Sequence, residues 1–347
     1  MKRMLQQELT EDREGRSSPL VSILIINWNG KAHIEECLHS CLNSRYPNYE
    51  IIVIDNNSSD DSAGIVKSKF REVQLVELGQ NLGFAGATNV GIGVSRGSYV
   101  AVLCSDITVD TKWLSNLVQA MTDPNQSCSS GIGIAGGITY YSPPGDVIWG
   151  GPGKIDMTTG STWQPDGFRK TVRDTADADY IAGGAIVVKK EVFENIGTFD
   201  GGYFLYSEDV DFCMRALRAG YRLKIVPGAR AWHLMSMNNE LSLKAYYLRA
   251  CSRIRLYFKN FPLRFLFSAV LFQVLIRPIF EVIWFRQHPA CLLLSVSALR
   301  VNLFKLRQTL VSRSQVEALG RCKAKSRLKD LVMIALDRLS SKGHYRY

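Results

Sequence analysis

The sequence Val21-Ser-Ile-Leu-Ile-Ile-Asn-Trp-Asn-Gly30 places a short apolar run directly before polar and aromatic side chains. Its first six residues are mostly β-branched or apolar, a pattern typical of a strand that is buried on both faces. Asn27, Trp28 and Asn29 mark the point at which this strand ends. Ligands of open parallel sheets bind at the carboxyl ends of strands. This stretch therefore predicts both the sheet and the edge at which a site is to be sought.

Strands and helices alternate through the first half of the chain. Glu50–Ile54, a stretch around Val73–Leu78 and Tyr99–Leu103 predict further strands. Helical periodicity separates the first two strands, in Lys31–Asn43, and follows the last of them, in Trp113–Met121. This alternation indicates an α/β fold with a mostly parallel sheet flanked by helices.

The pattern loosens between about Ser130 and Asp179, where Gly, Pro and Thr are frequent. Beyond it, Asp179–Val188 predicts a strand and Asp209–Ala219 a helix that ends before Gly220. A last strand is predicted over Tyr221–Val226, and Pro227-Gly228 is expected to stop it.

Charge is unevenly distributed along the 347 residues. The net charge is +10, yet residues 240–347 hold 20 Lys/Arg against 5 Asp/Glu, which leaves −5 for residues 1–239. Residues 1–18 are charged and lack an apolar signal segment, so they predict a flexible leader. The chain is thus divided into this leader, an α/β body (19–239) and a basic amphipathic helical region (240–347).

The eight cysteines form no Cys-x-x-Cys pair, and several lie within apolar runs. Buried, reduced thiols explain this pattern better than a metal site does. Reduced thiols indicate a reducing compartment, so we expect the body to stay in the cytoplasm.

The basic region predicts a long amphipathic helix over Leu241–Asn260, followed by the apolar segment Phe261–Trp284. The centre of that segment, Phe265–Ile276, is shorter than the about 20 apolar residues that a membrane-spanning helix needs. Pro278 and the flanking Arg residues favour a helix lying in the membrane interface, on the cytoplasmic face. Packing on the body is the alternative. A nucleic-acid partner is disfavoured, because the Arg residues alternate with Leu, Phe and Tyr.

Polar side chains follow three of the predicted strands. Asn27-Trp28-Asn29, Asp55-Asn56-Asn57 and Ser105-Asp106 would meet at one edge of the sheet, where the aromatic ring could stack on a base. Asx chemistry in tight turns is the alternative, most of all for Asn56–Asp61. Asn81–Asn89 adds two glycines at a strand-to-helix junction, which favours either a nearby ribose or diphosphate or close helix packing.

Two other nucleotide-binding classes lack their motifs. The run Gly91-Ile-Gly93-Val-Ser-Arg-Gly97 precedes a strand, which is the wrong context for a redox dinucleotide. A nucleotidyltransferase would need a basic Gly-rich loop after the first strand, and Asn27–Lys31 offers a single Lys.

Carboxylates gather in Glu208-Asp209-Val210-Asp211, where a helix is predicted to begin and its N-terminus partly offsets their charge. Asp211 and Arg215 are spaced i,i+4 and are expected to pair. Repulsion between Glu208 and Asp209 could raise one pKa into a range useful for a general base.

Asp106 ends an apolar strand, where a carboxylate needs solvent, a cation or hydrogen-bond donors. A divalent cation shared with a diphosphate, either Mg²⁺ or Mn²⁺, is the simplest explanation. His233 follows the last strand of the body and is a further candidate ligand, although a packed histidine is commoner.

These segments, in this order, resemble the family 2 inverting glycosyltransferases of the A-type fold, particularly the rhamnosyltransferase-like members. The resemblance covers about Pro19 to Lys259. It is carried by VSILIINWNG (21–30), IVIDNNSSD (52–60), NLGFAGATNVGI (81–92), GGAIVVK (183–189), FDGGYFLYSEDVDFCMR (199–215), RAGY (218–221) and His233.

The resemblance implies a nucleotide-sugar-binding catalytic domain with a donor site, a metal and a base. Asp209 would be the general base with Glu208 beside it, and Asp106 and His233 would be the metal ligands. Gly183-Gly184 would allow close approach of the sugar or the acceptor. The donor-binding residues would be Asp55, Asn27, Trp28, Asn29, Asn81, Gly83, Asn89 and Ser105.

The implied reaction moves a sugar, plausibly rhamnose, from a thymidine- or uridine-diphosphate donor to a lipid-linked or polysaccharide acceptor. One departure bears on the metal: family members commonly carry Asn-Asn-Asp or Asp-x-Asp where this chain has Cys104-Ser105-Asp106. A catalytically silent nucleotide-sugar binding protein is therefore the alternative. The retention of both Glu208 and Asp209 argues against it.

Overall fold

A computed structural model describes residues 18–123, 131–142, 147–163, 176–234, 242–284 and 288–321. Almost all of the predicted leader lies outside these ranges. The strands are β1 (Val21–Asn27), β2 (Tyr49–Asp55), β3 (Gln74–Glu77), β4 (Tyr99–Cys104), β5 (Ile107–Val109), β6 (Ile132–Tyr141), β7 (Ile148–Gly150), β8 (Pro152–Ile155), β9 (Thr162–Trp163), β10 (Ala176–Asp177), β11 (Tyr180–Ile181), β12 (Ala185–Lys189) and β13 (Arg222–His233).

The helices lie on both faces of the sheet and in a C-terminal group. They are α1 (Ile34–Leu42), α2 (Ser62–Lys69), α3 (Gly83–Val94), α4 (Trp113–Thr122), α5 (Lys190–Ile196), α6 (Glu208–Arg218), α7 (Leu243–Asn260), α8 (Leu263–Leu271), α9 (Arg277–Trp284), α10 (Ala290–Phe304) and α11 (Leu306–Arg321).

A ten-stranded sheet organises the body, in the order β10-β13-β6-β12-β4-β1-β2-β3, with β5 attached to β13 and β7 to β6. The pairs β1–β2, β1–β4, β2–β3 and β6–β13 are parallel, whereas β12 runs antiparallel to both of its neighbours. The predicted α/β fold with a mostly parallel, helix-flanked sheet is confirmed. The strand ends that carry Asn27, Asp55 and Cys104 consequently lie at one edge.

Alternating side chains of β1 fill two separate cores. Ile23 and Ile25 pack into the core on one face of the sheet, and Leu24 and Ile26 pack into the core on the other. Successive side chains of a strand point to opposite faces, so a strand covered on both sides is mostly apolar. Buried Ser22 is the polar exception within β1, and its hydroxyl bonds to Glu50 and Gly97. The next polar side chain, Asn27, stands at the end of the strand.

Two predicted strands differ from those observed. The segment Asp179–Val188 breaks into β11 and β12 at Gly183-Gly184. β13 continues past Pro227-Gly228 to His233, because its register with β6 shifts between Ile225 and Arg230. A bulge leaves residues out of the hydrogen-bond ladder, so a proline, which lacks an N–H, is accommodated there. The continuation carries His233 to the site edge.

Helix α7 packs on the body through buried ion pairs. Lys259 Nζ lies 2.7 Å from Asp200 Oδ2 and 2.9 Å from the carboxylate of Asp211, and Asn260 Nδ2 donates to Asp211 Oδ1 at 2.7 Å. Asp211 also pairs with Arg215 at 2.9 Å, which confirms the predicted i,i+4 pair. The predicted boundary at residue 240 is thus crossed by strong contacts between the body and the first C-terminal helix.

Helices α8 and α9 form one continuous helical segment through a π-helical turn, Phe272–Ile276. Pro278 has no N–H and its ring clashes with the carbonyl four residues before it, which the wider turn relieves. The segment Leu263–Ile283 is long and apolar enough to cross a membrane, and 22% of it is buried in the protein. The helical segment is thus longer than its apolar centre, Phe265–Ile276, on which the expectation of an interfacial helix was based.

The contacts of this helical segment separate its two faces. Ser268 Oγ donates to the carbonyl of Thr158 at 2.8 Å and Gln273 Nε2 to that of Thr159 at 3.0 Å, so the polar face is turned inward. The outward face carries large apolar side chains at every fourth residue, defined here as the apolar stripe: Phe267, Leu271, Leu275, Ile279 and Ile283.

We predict that Lys259→Met destabilises the protein by about 3–5 kcal/mol, because two buried carboxylates lose their shared cation. Urea unfolding monitored by circular dichroism measures this change. Lys244→Met, which removes an exposed lysine from the same helix, is the matched control and should change stability by less than about 0.5 kcal/mol. Equal effects of the two substitutions would contradict the role given to this ion pair.

Candidate functional site

Asn27 and Asp55 end adjacent parallel strands in register, and both are buried. Asn27 Nδ2 donates to Asp55 Oδ1 at 2.8 Å, and Asp55 also accepts from the backbone N–H and the hydroxyl of Ser58 at 3.0 and 2.6 Å. Asn27 Oδ1 is buried without a hydrogen-bond partner in the described residues. These two predicted donor-binding residues are thus held together, and their bonds also shape the loop after β2.

Asn29 anchors the same loop from the other side. Its Oδ1 accepts from the backbone N–H of Ser59 at 2.8 Å, and its own N–H donates to the Ser58 hydroxyl at 2.9 Å. Trp28 stands between the two anchored asparagines and is 55% exposed. Of the three predicted residues at this strand end, Trp28 therefore offers the ligand an open surface.

Asn56 connects the loop after β2 to the start of α3. Its Nδ2 donates to Asn81 Oδ1 at 3.0 Å and to the Gly83 carbonyl at 3.1 Å, and its Oδ1 accepts from the N–H of Leu82 at 2.8 Å. Asn56 belongs to the polar group predicted at this edge, but it is not one of the donor-binding residues that the resemblance implies. Asn56 is buried, and its bonds to the backbone of Leu82 and Gly83 agree with turn chemistry, which is the alternative role for this stretch.

Gly83 brings the donor-side loop against the segment before the acidic run. Its φ is +72°, and a Cβ there would lie 2.1 Å from the carbonyl oxygen of Phe204, whose oxygen also accepts from the Phe84 N–H at 2.8 Å. Only glycine fits this backbone approach. Asn89, further along α3, bonds both the N–H and the carbonyl of Phe199, so its amide is engaged in packing α3 against the body.

Asp106 and His233 face each other at the edge between β4 and the end of β13. His233 Nε2 lies 3.7 Å from Asp106 Oδ2, which is longer than a hydrogen bond. Asp106 Oδ1 and His233 Nδ1 are buried and have no partner among the described residues. Burial lowers the pKa of His233 although Asp106 opposes this, which favours the neutral imidazole that metals bind.

This arrangement fits a divalent cation. A carboxylate and an imidazole approach each other without bonding, and each leaves a buried polar atom unsatisfied, which is costly without a further partner. Within the described ranges no group of three or more His, Cys, Asp or Glu side chains could hold a metal ion. Two protein ligands leave room for phosphate oxygens and water, as is common for Mg²⁺. Ser105, beside Asp106, is buried and donates its N–H to the Ile26 carbonyl.

Glu208 and Asp209 begin α6 after a turn with unusual backbone geometry. Tyr206 and Ser207 have φ values of +71° and +63°. The other non-glycine residues with positive φ in the described chain are Asn29 and Asn57, which lie in the loops after β1 and β2. Such conformations cost about 1–3 kcal/mol each and concentrate at functional sites. All four lie in the loops that frame this edge of the sheet.

Asp209 is oriented by backbone donors. The N–H of Gly183 donates to its Oδ2 at 2.9 Å, and that of Val210 to its Oδ1 at 2.7 Å. A Cβ on Gly183 would lie 3.1 Å from Asp209 Cβ, so the glycine permits this close approach. Burial raises the pKa of Asp209, while the two N–H groups oppose the rise.

Glu208 has the stronger shift. Burial, followed by repulsion from Asp209, raises its pKa to about 8, and its Oε2 is buried without a hydrogen-bond partner in the described residues. The expectation that repulsion raises a pKa in this pair is met, with burial as the larger cause. Burial and then the carboxylates of Asp106, Glu208 and Asp209 also raise the pKa of the Cys104 thiol, so the predicted metal and base residues surround one side chain.

The comparisons with known proteins bear on this geometry. Residues 22–197, which include β1 to β12, match the sequence profile of glycosyl transferase family 2. The chain belongs to glycosyltransferase family 2. The resemblance to family 2 is therefore confirmed, and with it the expectation of a glycosyltransferase.

Two curated relatives match most of their own length. Glycosyltransferase AglE of Haloferax volcanii is 25% identical over 66% of this chain and 71% of its own. N-acetylglucosaminyl-diphospho-decaprenol L-rhamnosyltransferase of Mycobacterium tuberculosis is 22% identical over 62% of this chain and 76% of its own. The chain spans only 24% to 41% of the length of six other curated relatives.

Solved structures share the fold. Mannosyltransferase PcManGT of Pyrobaculum calidifontis, in complex with GDP-Man and Mn²⁺, aligns with a TM-score of 0.53 at 16% identity, covering 94% of this chain and 88% of its own. GalNAc-T7 with UDP, GalNAc and Mn²⁺ aligns with a TM-score of 0.57 at 16% identity, covering 81% and 54%.

We predict that Glu208→Gln changes the pH dependence of stability. The folded-state pKa of about 8 lies above the ordinary value of 4.5, so the stabilisation from the protonated carboxyl is complete below about pH 4.5 and is lost as the pH rises through about 8. The unfolding free energy of the wild type should fall relative to Glu208→Gln across this window, by at most about 1.4 kcal/mol per pH unit. Urea titrations at several pH values measure it, with the exposed Glu194→Gln as control. Parallel curves for wild type and Glu208→Gln would contradict the shift.

Proposed function

We propose that this glycosyltransferase moves a sugar from a nucleoside-diphosphate sugar to an acceptor hydroxyl with inversion at the anomeric carbon. The observation that carries the proposal is that one edge of the sheet holds two groups of side chains. One is the carboxylate of Asp209, which backbone N–H groups orient, and the other is Asp106 with the facing His233. Asp209 can take a proton from an acceptor, and Asp106 with His233 can hold a cation on a diphosphate. Family membership supports this division of roles.

Asp209 is proposed as the general base. The acceptor oxygen forms its bond to the anomeric carbon from the face opposite the diphosphate, the bond from that carbon to the diphosphate oxygen breaks, and the acceptor proton passes to Asp209. The N–H groups of Gly183 and Val210 fix the carboxylate while leaving lone pairs on its oxygens. Glu208, protonated at neutral pH, would donate a hydrogen bond to the acceptor or sugar instead of competing for the proton.

The donor is proposed to lie along the loops after β1 and β2. Trp28 would stack on the base, and Asn27, Asp55 and Asn29 would define the pocket behind it. Asn81 and Gly83 would lie near the ribose and diphosphate. We propose a thymidine or uridine nucleotide and rhamnose as the transferred sugar, on the resemblance of the motifs and on the relative that is named a rhamnosyltransferase.

Asp106 and His233 are proposed to hold a divalent cation, which offsets charge on the departing diphosphate. Imidazole suits transition metals better than it suits Mg²⁺, so this ligand pair favours Mn²⁺. Two structural neighbours contain Mn²⁺ together with a nucleotide or nucleotide sugar.

The acceptor is proposed to be lipid-linked and the protein peripheral on the cytoplasmic face of the membrane. The polar face of the α8–α9 segment is bonded to the body, whereas a spanning helix would be surrounded by lipid or by other membrane helices. The apolar stripe therefore suits a helix lying in the interface, and the net charge of residues 240–347 suits anionic lipids.

We predict that Asp209→Asn lowers the rate of sugar transfer by at least about a hundredfold, because the acceptor loses its base. Transfer is measured with a panel of nucleotide sugars, Mn²⁺ and a lipid-linked acceptor. Asp177→Asn, on an exposed edge strand, is the control and should keep full activity. Equal turnover by Asp209→Asn would refute the base, and donor binding without transfer in any condition would favour a silent binder.

We predict that Asp106→Asn removes the Mn²⁺-dependent part of the affinity for uridine or thymidine diphosphate, a loss of about tenfold or more. Calorimetric titration with and without Mn²⁺ measures it. The exposed Asp61→Asn should behave as the wild type. Retention of the full metal effect in Asp106→Asn would remove this residue from the metal site.

We predict that Phe267→Ser with Leu275→Ser weakens binding to anionic vesicles by at least about tenfold, because buried apolar area is lost from the bilayer contact. Flotation at low salt measures it. Val94→Ser, an exposed apolar residue of α3, is the control. Wild-type flotation by the double variant would show that the apolar stripe does not contact lipid.

A further inference from the structure

Three arginines converge where α7 packs against the α8–α9 segment. Arg253 Nη1 and Arg277 Nη1 both donate to the same oxygen, Gln273 Oε1, at 3.0 and 3.4 Å. Arg249 precedes Arg253 by four residues on α7 and so lies on the same helical face. We call Arg249, Arg253 and Arg277 the arginine cluster. Two of its guanidinium groups are close enough to share one neutral acceptor.

The arginine cluster is bonded to little negative charge among the described residues. Glu281 is the one described carboxylate that makes an ion pair with it, and its two oxygens already accept from Arg277 Nε at 2.7 Å and from the Tyr246 hydroxyl at 2.9 Å. Burial, and then Arg277, lower the pKa of Arg253 to about 10, with Arg249 adding to this. A partly buried group of cations with one shared carboxylate leaves a surplus of positive charge that an anion would neutralise.

Arg249 connects the arginine cluster to the catalytic edge. Its guanidinium lies 4.9 Å from the centroid of the Tyr206 ring and makes no hydrogen bond to any residue that the structure describes. Tyr206 is the first of the two left-handed residues that precede Glu208. One turn further along α7, Ser252 Oγ donates to the Leu205 carbonyl at 2.8 Å. An arginine without a hydrogen bond to a described residue therefore stands beside the turn that presents the proposed base.

The apolar stripe lies on the same helical segment as Arg277. Leu271, Leu275 and Ile279 are exposed on the outward face, while Gln273 and Arg277 are turned toward α7. A ligand that reaches from lipid to the catalytic carboxylates would pass the arginine cluster on its way. The part of that ligand at the level of the arginines should be anionic and rich in oxygen acceptors.

We infer that the arginine cluster binds the diphosphate that joins the lipid of the acceptor to its sugar. Guanidinium groups match phosphate oxygens bidentately and stay charged when partly buried. The inference rests on the proposed lipid-linked acceptor and names the group by which that acceptor is recognised. The headgroup of an ordinary anionic lipid offers the same phosphate chemistry, so the test compares the two sources directly.

The experiment is flotation of the full chain, without any donor, on three kinds of vesicle. One is phosphatidylcholine alone, one contains a small fraction of a polyprenyl diphosphate, and one contains phosphatidylglycerol at matched surface charge. Wild type should bind the polyprenyl diphosphate vesicles at least about tenfold more tightly than the phosphatidylglycerol vesicles. Equal binding to both would overturn the inference in favour of general headgroup attraction.

Arg249→Gln and Arg277→Gln should each lose most of that preference, and Arg249→Lys, which keeps the charge without the fork, should lose part of it. Arg300→Gln removes the same charge from an exposed position on α10 and should keep the preference. Thermal unfolding of each variant separates lost binding from lost folding, and two independent positions guard against one failing to fold. Wild-type preference in both Gln variants would overturn the inference.

Because this readout needs no turnover, it is separate from the transfer assay. If Asp209→Asn transferred sugar normally, the proposed base would fail while the vesicle preference stood. If the preference were absent while transfer to a lipid-linked acceptor proceeded, the arginine cluster would fail and the proposed function would stand.

Discussion

The ion pairs of the buried Asp211 carboxylate hold the body and the C-terminal helices of this protein together. Asp211 lies on the same helix as the proposed base, two residues away, and it is surrounded by Arg215, Lys259 and Asn260. The charges of Arg215 and Lys259, together with the hydrogen bond from Asn260, overcome the effect of burial and lower the pKa of Asp211. A charge buried in this way is tolerated only with its partners present. The start of α6 and the end of α7 are therefore joined, and the orientation of the turn before the proposed base depends on the C-terminal region.

The same constraint explains how a short acidic run can contain side chains of opposite behaviour. Asp211 meets cations and stays ionised, whereas Glu208 meets apolar surroundings and Asp209 and holds its proton. Asp209 lies between them and is oriented by two backbone N–H groups. Neighbouring residues on one helix thus acquire different roles because each projects into a different environment.

Much of the fold could be predicted from the sequence because its signals are local. The buried strands β1, β2 and β4 appear as apolar runs that end in polar residues, and their bounds differ from the predicted ones by a residue or so. The continuation of β13 past Pro227-Gly228 could not be read in this way, because a bulge depends on the register with β6. The break at Gly183-Gly184 likewise becomes clear only when Asp209 is seen beside it.

The sequence indicated which residues form the candidate site better than it indicated how they contact one another. Asp106 and His233 lie 127 positions apart and face each other only because β13 extends to the edge beside β5. The engagement of Asn89 with Phe199 and the bridging role of Asn56 require the packed loops. Spacing along the chain does not show which of an amide's bonds are already used. For the same reason the arginine cluster, divided between two helices, has no signature in the sequence.

The contact of Gly83 with Phe204 has a consequence for how such a protein changes over time. The proposed donor side and the proposed acceptor side meet there through the main chain, with a hydrogen bond from the Phe84 N–H to the Phe204 carbonyl. The approach of the two segments at this point consequently does not depend on the identity of a side chain between them. Side chains of the proposed pocket can therefore be exchanged without altering this main-chain contact. Substitutions in the proposed pocket could thus change its specificity while this main-chain contact is retained.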